Sequence, residues 1–258
     1  MTRYRPEWMS HRSRVQFAEL LKVQSKLALR EPLALFGGLA LPAVLLAVFG
    51  FIGQANPGTV GSTGLSIIEV WTPTILVLSI IFISVSLPNT LVRDREIGWL
   101  RRVSTTPLHP SRLLAAQLVI DLILAAAAIL IVILEGAFVF GASLHVQILP
   151  FAVSLVLAIV ELFALGLVLV ALVPTQAVSQ PVAGVVTFGL MFLSGLWVNP
   201  AQIGDPLRTI MYYSPSGAAV KAVLDSAFNS GFSYAALLTM AVYAVVFGFI
   251  AVRYFRWE

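Results

Sequence analysis

The second apolar segment of the chain and the charged segment behind it decide the fold. Residues 71–92 read WTPTILVLSIIFISVSLPNTLV, and residues 93–112 read RDREIGWLRRVSTTPLHPSR. The first stretch has no charged residue over 22 positions. As a helix it is long enough to cross a bilayer core of about 30 Å. The second stretch holds five arginines, so the boundary between membrane and water is predicted close to residue 93.

Five further segments have the same character as residues 71–92. Backbone groups in lipid must bond within their own segment, so apolar runs of this length form helices, whereas a transmembrane barrel has shorter, alternating segments. The predicted spans are Leu33–Gly53, Trp71–Val92, Leu113–Gly141, Leu149–Val173, Gln180–Val198 and Tyr234–Val252. The predicted fold class is therefore an all-α polytopic membrane protein with six transmembrane helices.

Lysine and arginine are distributed unevenly between the segments that connect these spans. Six spans place fourteen of them on the side that holds both chain ends and two on the other side. Basic residues in short loops favour the cytoplasmic side. The sequence thus predicts a multi-pass protein of the plasma (inner) membrane whose N-terminus and C-terminus are both cytoplasmic.

Composition argues against several other classes of protein. Hydrophobic residues make up 59% of the chain and charged residues 11%, whereas a typical soluble domain has about 25% charged residues. There is no cysteine, and His11, His109 and His145 are far apart in the sequence, so neither a disulfide framework nor a metal site is predicted. The basic residues lie beside apolar segments and not on one soluble surface, so no nucleic-acid partner is predicted.

Residues 1–32 precede the first span and contain a pattern typical of an amphipathic helix. Within residues 11–31, charged side chains share one helix face and apolar side chains share the opposite face. Such a helix lies in the headgroup plane of a bilayer, and a soluble extension is the alternative. Residues 33–252 then form the transmembrane domain, and residues 253–258 form a short cytoplasmic tail.

The cytoplasmic loop of residues 93–112 mixes charges of both signs with apolar side chains such as Ile97, Trp99 and Leu100. A loop that only sets topology needs a few basic residues. This composition is also compatible with a short helix that contacts a partner. On spacing alone, a solvated connector and a docking helix both remain open.

The extracytoplasmic segment of residues 199–233, between spans five and six, is unusually long. It contains three prolines and a run from Gly217 to Phe228 that is compatible with a helix. A segment of this kind can cap a transport pathway. It can equally be a loop with a short surface helix.

Two motifs resemble those of type-two ABC exporter permeases, and among these the daunorubicin-resistance-like permeases. The first is Asp94-Arg95-Glu96-x-Gly98-x-Leu100, followed by Thr106-Pro107; Trp99 stands where the family usually has threonine. The second is Phe192-Leu193-Ser194-Gly195 at the end of span five, followed by prolines. The number of spans, the loop lengths and the orientation also agree with the family, so the resemblance covers nearly the whole chain.

The resemblance implies a coupling helix between spans two and three that docks on a separate ABC ATPase. The residues assigned to this coupling are Asp94, Arg95, Glu96, Gly98, Trp99, Leu100 and Pro107. Within this set, we predict that Arg95 and Glu96 brace the helix through ion pairs and that Trp99 and Leu100 form the docking surface. The resemblance also implies a second contact loop at Pro174–Ser179 and a partly re-entrant cap before span six.

The partners and the function follow from the same resemblance. The sequence has no Gly-x-x-x-x-Gly-Lys-Ser/Thr phosphate loop, so the chain is predicted to be a permease subunit and not an enzyme. ATP and Mg are predicted to bind to two copies of the partner ATPase. No cofactor is predicted for this chain itself. A second permease copy or a paralogue completes a homodimer or heterodimer in the lipid bilayer. The predicted function is alternating-access export of a hydrophobic or amphipathic substrate, which is a drug, a lipid or a lipid-linked glycan.

Polar and aromatic residues within the spans are candidates for the substrate path. The acidic residues in or near the spans are Asp121, Glu135 and Glu161. An ionised acid at the bilayer centre costs about 2.5–3.5 kcal/mol on insertion scales, so such residues face protein or water. Glu161 is the acidic candidate, and a protonated or paired carboxyl that packs helices is the alternative. Phe188, Met191 and Phe192 are candidates for an apolar cavity, and lipid contact is their alternative.

Two other functions remain open from the sequence. A non-transporting membrane scaffold or sensor subunit would also need a coupling loop, but it would need no substrate cavity. A membrane enzyme that acts on lipid would need acidic, basic or metal-binding groups that converge at one depth, and the sequence shows no such set.

Overall fold

The structure, a computed structural model, covers most of the chain in several stretches. It describes residues 20–28, 30, 35–58, 64–96, 110–142, 147–198, 200, 203–228 and 231–254. Within these residues the chain forms helices joined by turns, and no β-strand is present. Residues 20–28 are helical, which corresponds to part of the predicted amphipathic helix at 11–31.

The helices are numbered here in chain order. α1 has a π-helical start at Phe36–Ala40 and continues as Leu41–Ala55, α2 is Ile67–Glu96, and α3 is Pro110–Leu134 with a final π-helical turn at Glu135–Val139. α4 is Ile148–Leu172, α5 is Gln176–Leu193, α6 is Asp205–Tyr212, α7 is Pro215–Ala227 and α8 is Tyr234–Tyr254. In the described part of the chain, α1 to α5 and α8 are long and apolar enough to cross a membrane. The predicted all-α polytopic fold is therefore confirmed.

α2 is the central helix of the bundle. Buried residues make up 78% of its most apolar window, against 17% in α5 and in α8. Ile75, Leu76 and Ile80 of α2 have no exposed surface, and α1, α3, α4, α5 and α7 all pack against this helix. The positions of these helices are thus set by their contacts with α2.

α2 begins with a capping box. The backbone N–H of Ser66 donates to Oε2 of Glu69 (2.8 Å), and the backbone N–H of Glu69 donates to Oγ of Ser66 (3.4 Å). This reciprocal pair satisfies donors that the first helical turn leaves free.

α2 ends later than predicted. It continues past Val92 to Glu96, because arginine and glutamate are good helix formers outside lipid. The first four residues of the predicted coupling loop are therefore helical.

A glycine allows α4 to approach the backbone of α2. Pro88 of α2 has no N–H, so the carbonyl of Ser84 loses its usual helical donor. A Cβ atom added at Gly166 of α4 would lie 2.3 Å from the oxygen of that carbonyl. Only glycine fits at this position without a shift of one helix.

The fifth span ends five residues before its predicted end, at Leu193. Gly195 has a φ of +84°, a conformation that glycine adopts readily. Its N–H donates to the carbonyl of Phe192 (3.2 Å), and the N–H of Leu196 donates to the carbonyl of Met191 (3.3 Å). These two bonds form a Schellman motif, which stops the helix although the next residues are still apolar.

The segment between α5 and α8 folds back into the bundle. Ser214 caps α7 by accepting a hydrogen bond from the N–H of Gly217 (3.1 Å), and Pro215 occupies the first helical position. α7 packs against α2, α4 and α8, and its Ala218 and Ala222 have no exposed surface. α7 is therefore a buried helix and not a surface helix.

Candidate functional site

Arg95, near the end of α2, contacts the end of α4. Its Nη2 donates to the carbonyl of Val173 (2.6 Å) and to the carbonyl of Pro174 (3.1 Å). The last carbonyls of a helix have no helical donor and carry partial negative charge. The guanidinium of Arg95 therefore complements this helix end in both charge and hydrogen bonding.

Glu96 makes the complementary contact with the beginning of α5. Its Oε1 accepts a hydrogen bond from the backbone N–H of Gln176 (3.0 Å), the first residue of that helix. Thr175, which occupies the N-cap position, makes no side-chain capping bond of its own. A carboxylate at a helix N-terminus satisfies a free donor and faces the positive end of the helix dipole.

We call Arg95 and Glu96 the clamp, because together they hold the turn of residues 173–175 against α2. Deeper in the bundle, Oγ of Ser179 donates to Oδ1 of Asn89 (2.9 Å) and fixes the register of α5 on α2. These bonds differ from the ion pairs predicted from the sequence, since both clamp side chains bond to backbone atoms. A displacement of the end of α2 therefore acts directly on the turn between α4 and α5.

Asp94 belongs to a separate polar cluster. It lines a small cavity of about 30 Å³ with Arg93, Asp121 and side chains of the helix at 20–28. Nε2 of Gln117 donates to both carboxylate oxygens of Asp121, at 3.1 and 3.0 Å, and Nε of Arg93 lies 3.9 Å from Oδ1 of Asp94. This cluster joins the helix at 20–28 to α2 and α3.

A larger cleft lies between α2 and α5, next to the clamp. Its volume is about 620 Å³, which is within the usual range for ligand-binding pockets. Its polar end, nearest the clamp, is lined by Arg30, Asn89, Arg93, Gln176 and Gln180. Its apolar end is lined by Phe82, Val85, Phe188 and Met191. The cleft is therefore amphipathic along its length.

The structure brings two of the four predicted substrate-path residues into this cleft. Phe188 and Met191 line it. Phe192 is half-buried and lies outside the lining. Glu161 has no exposed surface, and neither of its carboxylate oxygens has a hydrogen-bond partner among the described residues. Glu161 is thus a core residue of α4 and not part of the cleft wall.

The polar end of the cleft was not predicted from the sequence, where Arg30 and Arg93 serve only as indicators of topology. One signal was present: Asn89 lies inside the second predicted span and Gln180 begins the fifth. Polar side chains in apolar segments tend to face protein or water. The predicted coupling residues Gly98, Trp99, Leu100 and Pro107 lie outside the described residues.

The chemistry of the site is that of binding. Among the residues that the structure describes, no three His, Cys, Asp or Glu side chains come together as a metal site. The cleft offers positive charge, amide hydrogen bonds and apolar contact. These groups can hold and orient a molecule.

A family model described as ABC-2 type transporter matches residues 15–228, a range that includes the clamp, the cleft and the buried cap helix α7. The chain belongs to this family, as its motifs indicate. It is a multi-pass membrane protein and the transmembrane permease of an ABC transporter. Permeases of this family are transport components that generally work with an ABC ATPase. A comparison with curated protein sequences found no match.

Proposed function

We propose that this permease is the membrane half of an ATP-driven exporter and that the clamp transmits the motion of the partner ATPase to the cleft. The observation that carries this proposal is the bonding of Arg95 and Glu96 to opposite sides of the α4–α5 turn. The predicted coupling segment, residues 94–107, and the predicted second contact loop, Pro174–Ser179, are joined by these bonds. An ATPase docked on both segments would move them as one unit.

ATP and Mg bind, in this proposal, to two copies of the partner ATPase. Closure of the ATPase pair pushes the end of α2, and the clamp passes this motion to the start of α5. Within one chain, α5 has few buried residues in its apolar window, so a movement of α5 relative to α2 disrupts few buried contacts of its own chain. ATP has to bind one arrangement more tightly than the other, because a ligand shifts an equilibrium only through differential affinity.

The amphipathic cleft supports the export of a hydrophobic or amphipathic substrate, which is a drug, a lipid or a lipid-linked glycan. The apolar end receives the apolar part of such a molecule, and the polar end receives its polar group. Alternating access then opens the cleft first to the cytoplasm and then to the outside. A scaffold or sensor subunit would have no use for a cleft of this size beside the clamp, which favours a transporter.

A second permease copy, identical or paralogous, is proposed to pair through the exposed face of α5. Val185 is 74% exposed and Phe188 is 63% exposed, so this face is apolar and open to lipid or protein. A second copy on this face would enclose the cleft. We propose that the dimer lies in the plasma (inner) membrane with both chain ends in the cytoplasm. The lysine and arginine distribution supports this orientation.

Affinity purification of the tagged chain from its native host in mild detergent, with mass spectrometry and an ATPase assay, tests this proposal. The unaltered chain is expected to retain an ATPase that carries a phosphate loop. W99A/L100A is expected to lose this ATPase, because the predicted docking surface is removed. R95A/E96A is expected to retain the ATPase but to lose stimulation of its activity by transported substrate.

R208A serves as a matched control, because Arg208 lies on α6, away from the clamp, with a side chain that is 41% exposed. It is expected to behave as the unaltered chain in both measurements. A well-folded unaltered chain that retains no ATPase would contradict the exporter proposal. Normal substrate stimulation in R95A/E96A would contradict the role of the clamp.

A further inference from the structure

A second pocket lies between the cap helices α6 and α7, the beginning of α2 and the end of α5. We call it the cap pocket and define it by Trp71 of α2, Leu193 of α5, Tyr212 of α6 and Val220 of α7, which all line it. Its volume is about 150 Å³, below the range of about 300–1,000 Å³ that is usual for drug-sized ligands. The cap pocket therefore has room for a small molecule only.

The helices around the cap pocket are held by contacts that need no ligand. Oγ of Ser216 in α7 donates to the carbonyl of Leu190 in α5 (2.8 Å). The ring of Trp71 stacks on the ring of Phe49 in α1, with centroids 4.2 Å apart. Met211, near the end of α6, lines the pocket and has no exposed surface. The pocket is thus preformed, and a ligand does not have to order its walls at a cost in entropy.

Two hydroxyl groups that line the cap pocket already donate within their own helices or turns. Oγ1 of Thr74 donates to the carbonyl of Val70 (3.4 Å), and Oγ of Ser194 donates to the carbonyl of Met191 (2.7 Å). A hydroxyl group has one hydrogen to donate. Neither hydroxyl group therefore needs an acceptor on a ligand, and a ligand without polar atoms leaves both of them satisfied.

Lys221 and Asp225 of α7 also line the cap pocket, and they pair with each other. Nζ of Lys221 lies 3.3 Å from Oδ2 of Asp225 and 5.2 Å from the centroid of the Tyr212 ring. The two side chains are 38% and 26% exposed, so the pair lies at the mouth of the pocket. A charged ligand would lose hydration and would compete with this existing pair. The pair thus favours a neutral ligand.

We propose that the cap pocket binds a small neutral aromatic molecule, about the size of toluene, and that the bound molecule holds the cap helices on α2 and α5. An apolar cavity of about 150 Å³ accommodates a molecule of benzene size. Trp71 and Tyr212 offer ring contacts, and aromatic pairs contribute more than the burial of their surface. The ligand contacts both the cap and the bundle, so it binds the closed arrangement in preference to an open one.

Photolabelling with phenyl azide tests this site in the full-length chain, in nanodiscs of phosphatidylcholine. Labelling is measured in peptides that contain Trp71, Tyr212 or Val220. Val245 of α8, which is 72% exposed, is the reference for a probe dissolved in lipid. Toluene at ten times its half-saturating concentration is expected to lower labelling of the cap pocket about tenfold and to leave labelling at Val245 unchanged. An equal loss at both places, or no loss at the pocket, overturns the proposal.

Three further competitors separate the cap pocket from simple partition into the membrane. 1,3,5-Triisopropylbenzene is more apolar than toluene but too large for a pocket of about 150 Å³, so it is expected not to protect. Benzylammonium and benzoate have nearly the shape of toluene but carry charge, and each is expected to protect at least about tenfold more weakly. Protection by the large molecule overturns the enclosed site. Protection by either ion at the level of toluene overturns the selection of a neutral ligand.

Three variants assign the labelling to the pocket. V220F adds a ring to the pocket wall, where Val220 is 8% exposed, and is expected to abolish the labelling that toluene suppresses. V245F, the matched control, adds the same ring at an exposed position and is expected to change nothing. T74V replaces a hydroxyl group with a methyl group of similar size and is expected to retain binding.

Labelling that toluene still suppresses in a folded V220F overturns the site, and loss of binding in T74V overturns its apolar character. If V220F does not fold, the competitors and T74V decide the question. These experiments use neither ATPase nor transport. Their failure therefore contradicts the cap-pocket inference alone, whereas failure to retain an ATPase contradicts the proposed function.

Hydrogen exchange tests whether the ligand holds the cap. At ten times its half-saturating concentration, toluene is expected to slow amide exchange in α6, Asp205–Tyr212, by about tenfold, because openings that release the ligand become rarer by this factor. V220F is expected to show no effect of toluene on this exchange. Unchanged exchange in α6 of the unaltered chain, at a concentration that suppresses photolabelling, overturns the role of the ligand in holding the cap.

Discussion

α2 and α5 line the same cleft, but they are held in the protein in different ways. Buried residues make up 78% of the apolar window of α2 and 17% of that of α5. α5 packs on α2 through a narrow face that includes the buried Ala183. Its hydrogen bonds to other helices lie near its ends. They join it to Glu96 and Asn89 at one end, and Oγ of Ser216 donates to the carbonyl of Leu190 (2.8 Å) at the other. One wall of the cleft is therefore part of the core, whereas the other wall has only a narrow buried face and is hydrogen-bonded to other helices near its two ends.

The largest expected effect on stability comes from adding a side-chain atom where α4 contacts the backbone of α2. Gly166→Ala is expected to lower the free energy of unfolding by about 1–3 kcal/mol, because the new Cβ would lie 2.3 Å from the backbone oxygen of Ser84. The measurement is an unfolding titration of the purified protein with sodium dodecyl sulfate, followed by circular dichroism.

Gly189→Ala in α5 is the matched control for this substitution. No atom lies within 4 Å of the Cβ that it would add, and alanine is a better helix former than glycine by about 1 kcal/mol. Gly189→Ala is therefore expected to leave stability unchanged or to raise it. Equal destabilisation by the two substitutions would mean that α5 is packed at Gly189 as tightly as α4 is packed against α2 at Gly166.

A smaller effect on stability is expected from a substitution in the clamp. Arg95→Ala removes two hydrogen bonds to the end of α4 and is expected to lower the free energy of unfolding by about 1–2 kcal/mol in the same titration, since charged but partly exposed donors contribute at this level. Arg95→Lys keeps the charge and is expected to recover part of the loss. If Arg95→Ala had no effect, the two bonds would not hold α4 to α2.

The bond that sets the register of α5 is expected to contribute less. Ser179→Ala removes the hydrogen bond to Asn89 and is expected to cost about 0.5–1.5 kcal/mol. Ser86→Ala is the control, because Oγ of Ser86 bonds to the carbonyl of Ile83 in its own helix (2.7 Å). The control is expected to change stability by less than about 0.5 kcal/mol, and equal losses would argue against a role of Ser179 in holding α5.

The smallest effect on stability is expected in the cleft itself. Phe188 is 63% exposed, so Phe188→Ala is expected to change the free energy of unfolding by less than about 0.5 kcal/mol. Stimulation of the partner ATPase by an apolar substrate is nevertheless expected to fall, since the cleft loses apolar surface. Leu190→Ala, two residues along and 6% exposed, is expected to cost about 2–3 kcal/mol. A large destabilisation by Phe188→Ala would place this side chain in the core.

The spans could be predicted from the sequence because length and polarity are local properties. The end of α5 was misplaced by five residues, although Gly195 after an apolar run is a known stop signal. Leu196, Trp197 and Val198 follow this glycine, so apolarity alone extends the span past the stop signal. The end of α2 was misplaced because charged residues mark the edge of a membrane and not the end of a helix, so the helix continues to Glu96.

The candidate site was harder to predict than the fold. Arg95 and Val173 are 78 positions apart, and Glu96 and Gln176 are 80 apart. The family resemblance implies that both segments are contact loops, but it does not indicate which of their atoms pair. Phe188, Phe192 and Glu161 illustrate the same limit, since polarity and spacing are similar for side chains that face a cleft, the lipid or a neighbouring helix. Only the packing of α5 against α2 separates them.

The central claim is that the clamp makes the end of α2 and the start of α5 one moving unit, while the walls of the cleft move apart beyond it. The chain has no cysteine, so spin labels can be placed at chosen pairs without background. Distances would be measured by pulsed electron paramagnetic resonance in the complex with the ATPase, with and without trapped ATP. The account predicts a changed distance for S86C/T187C, across the cleft, and an unchanged distance for T90C/T175C, across the clamp. A change at T90C/T175C as large as that at S86C/T187C would contradict it.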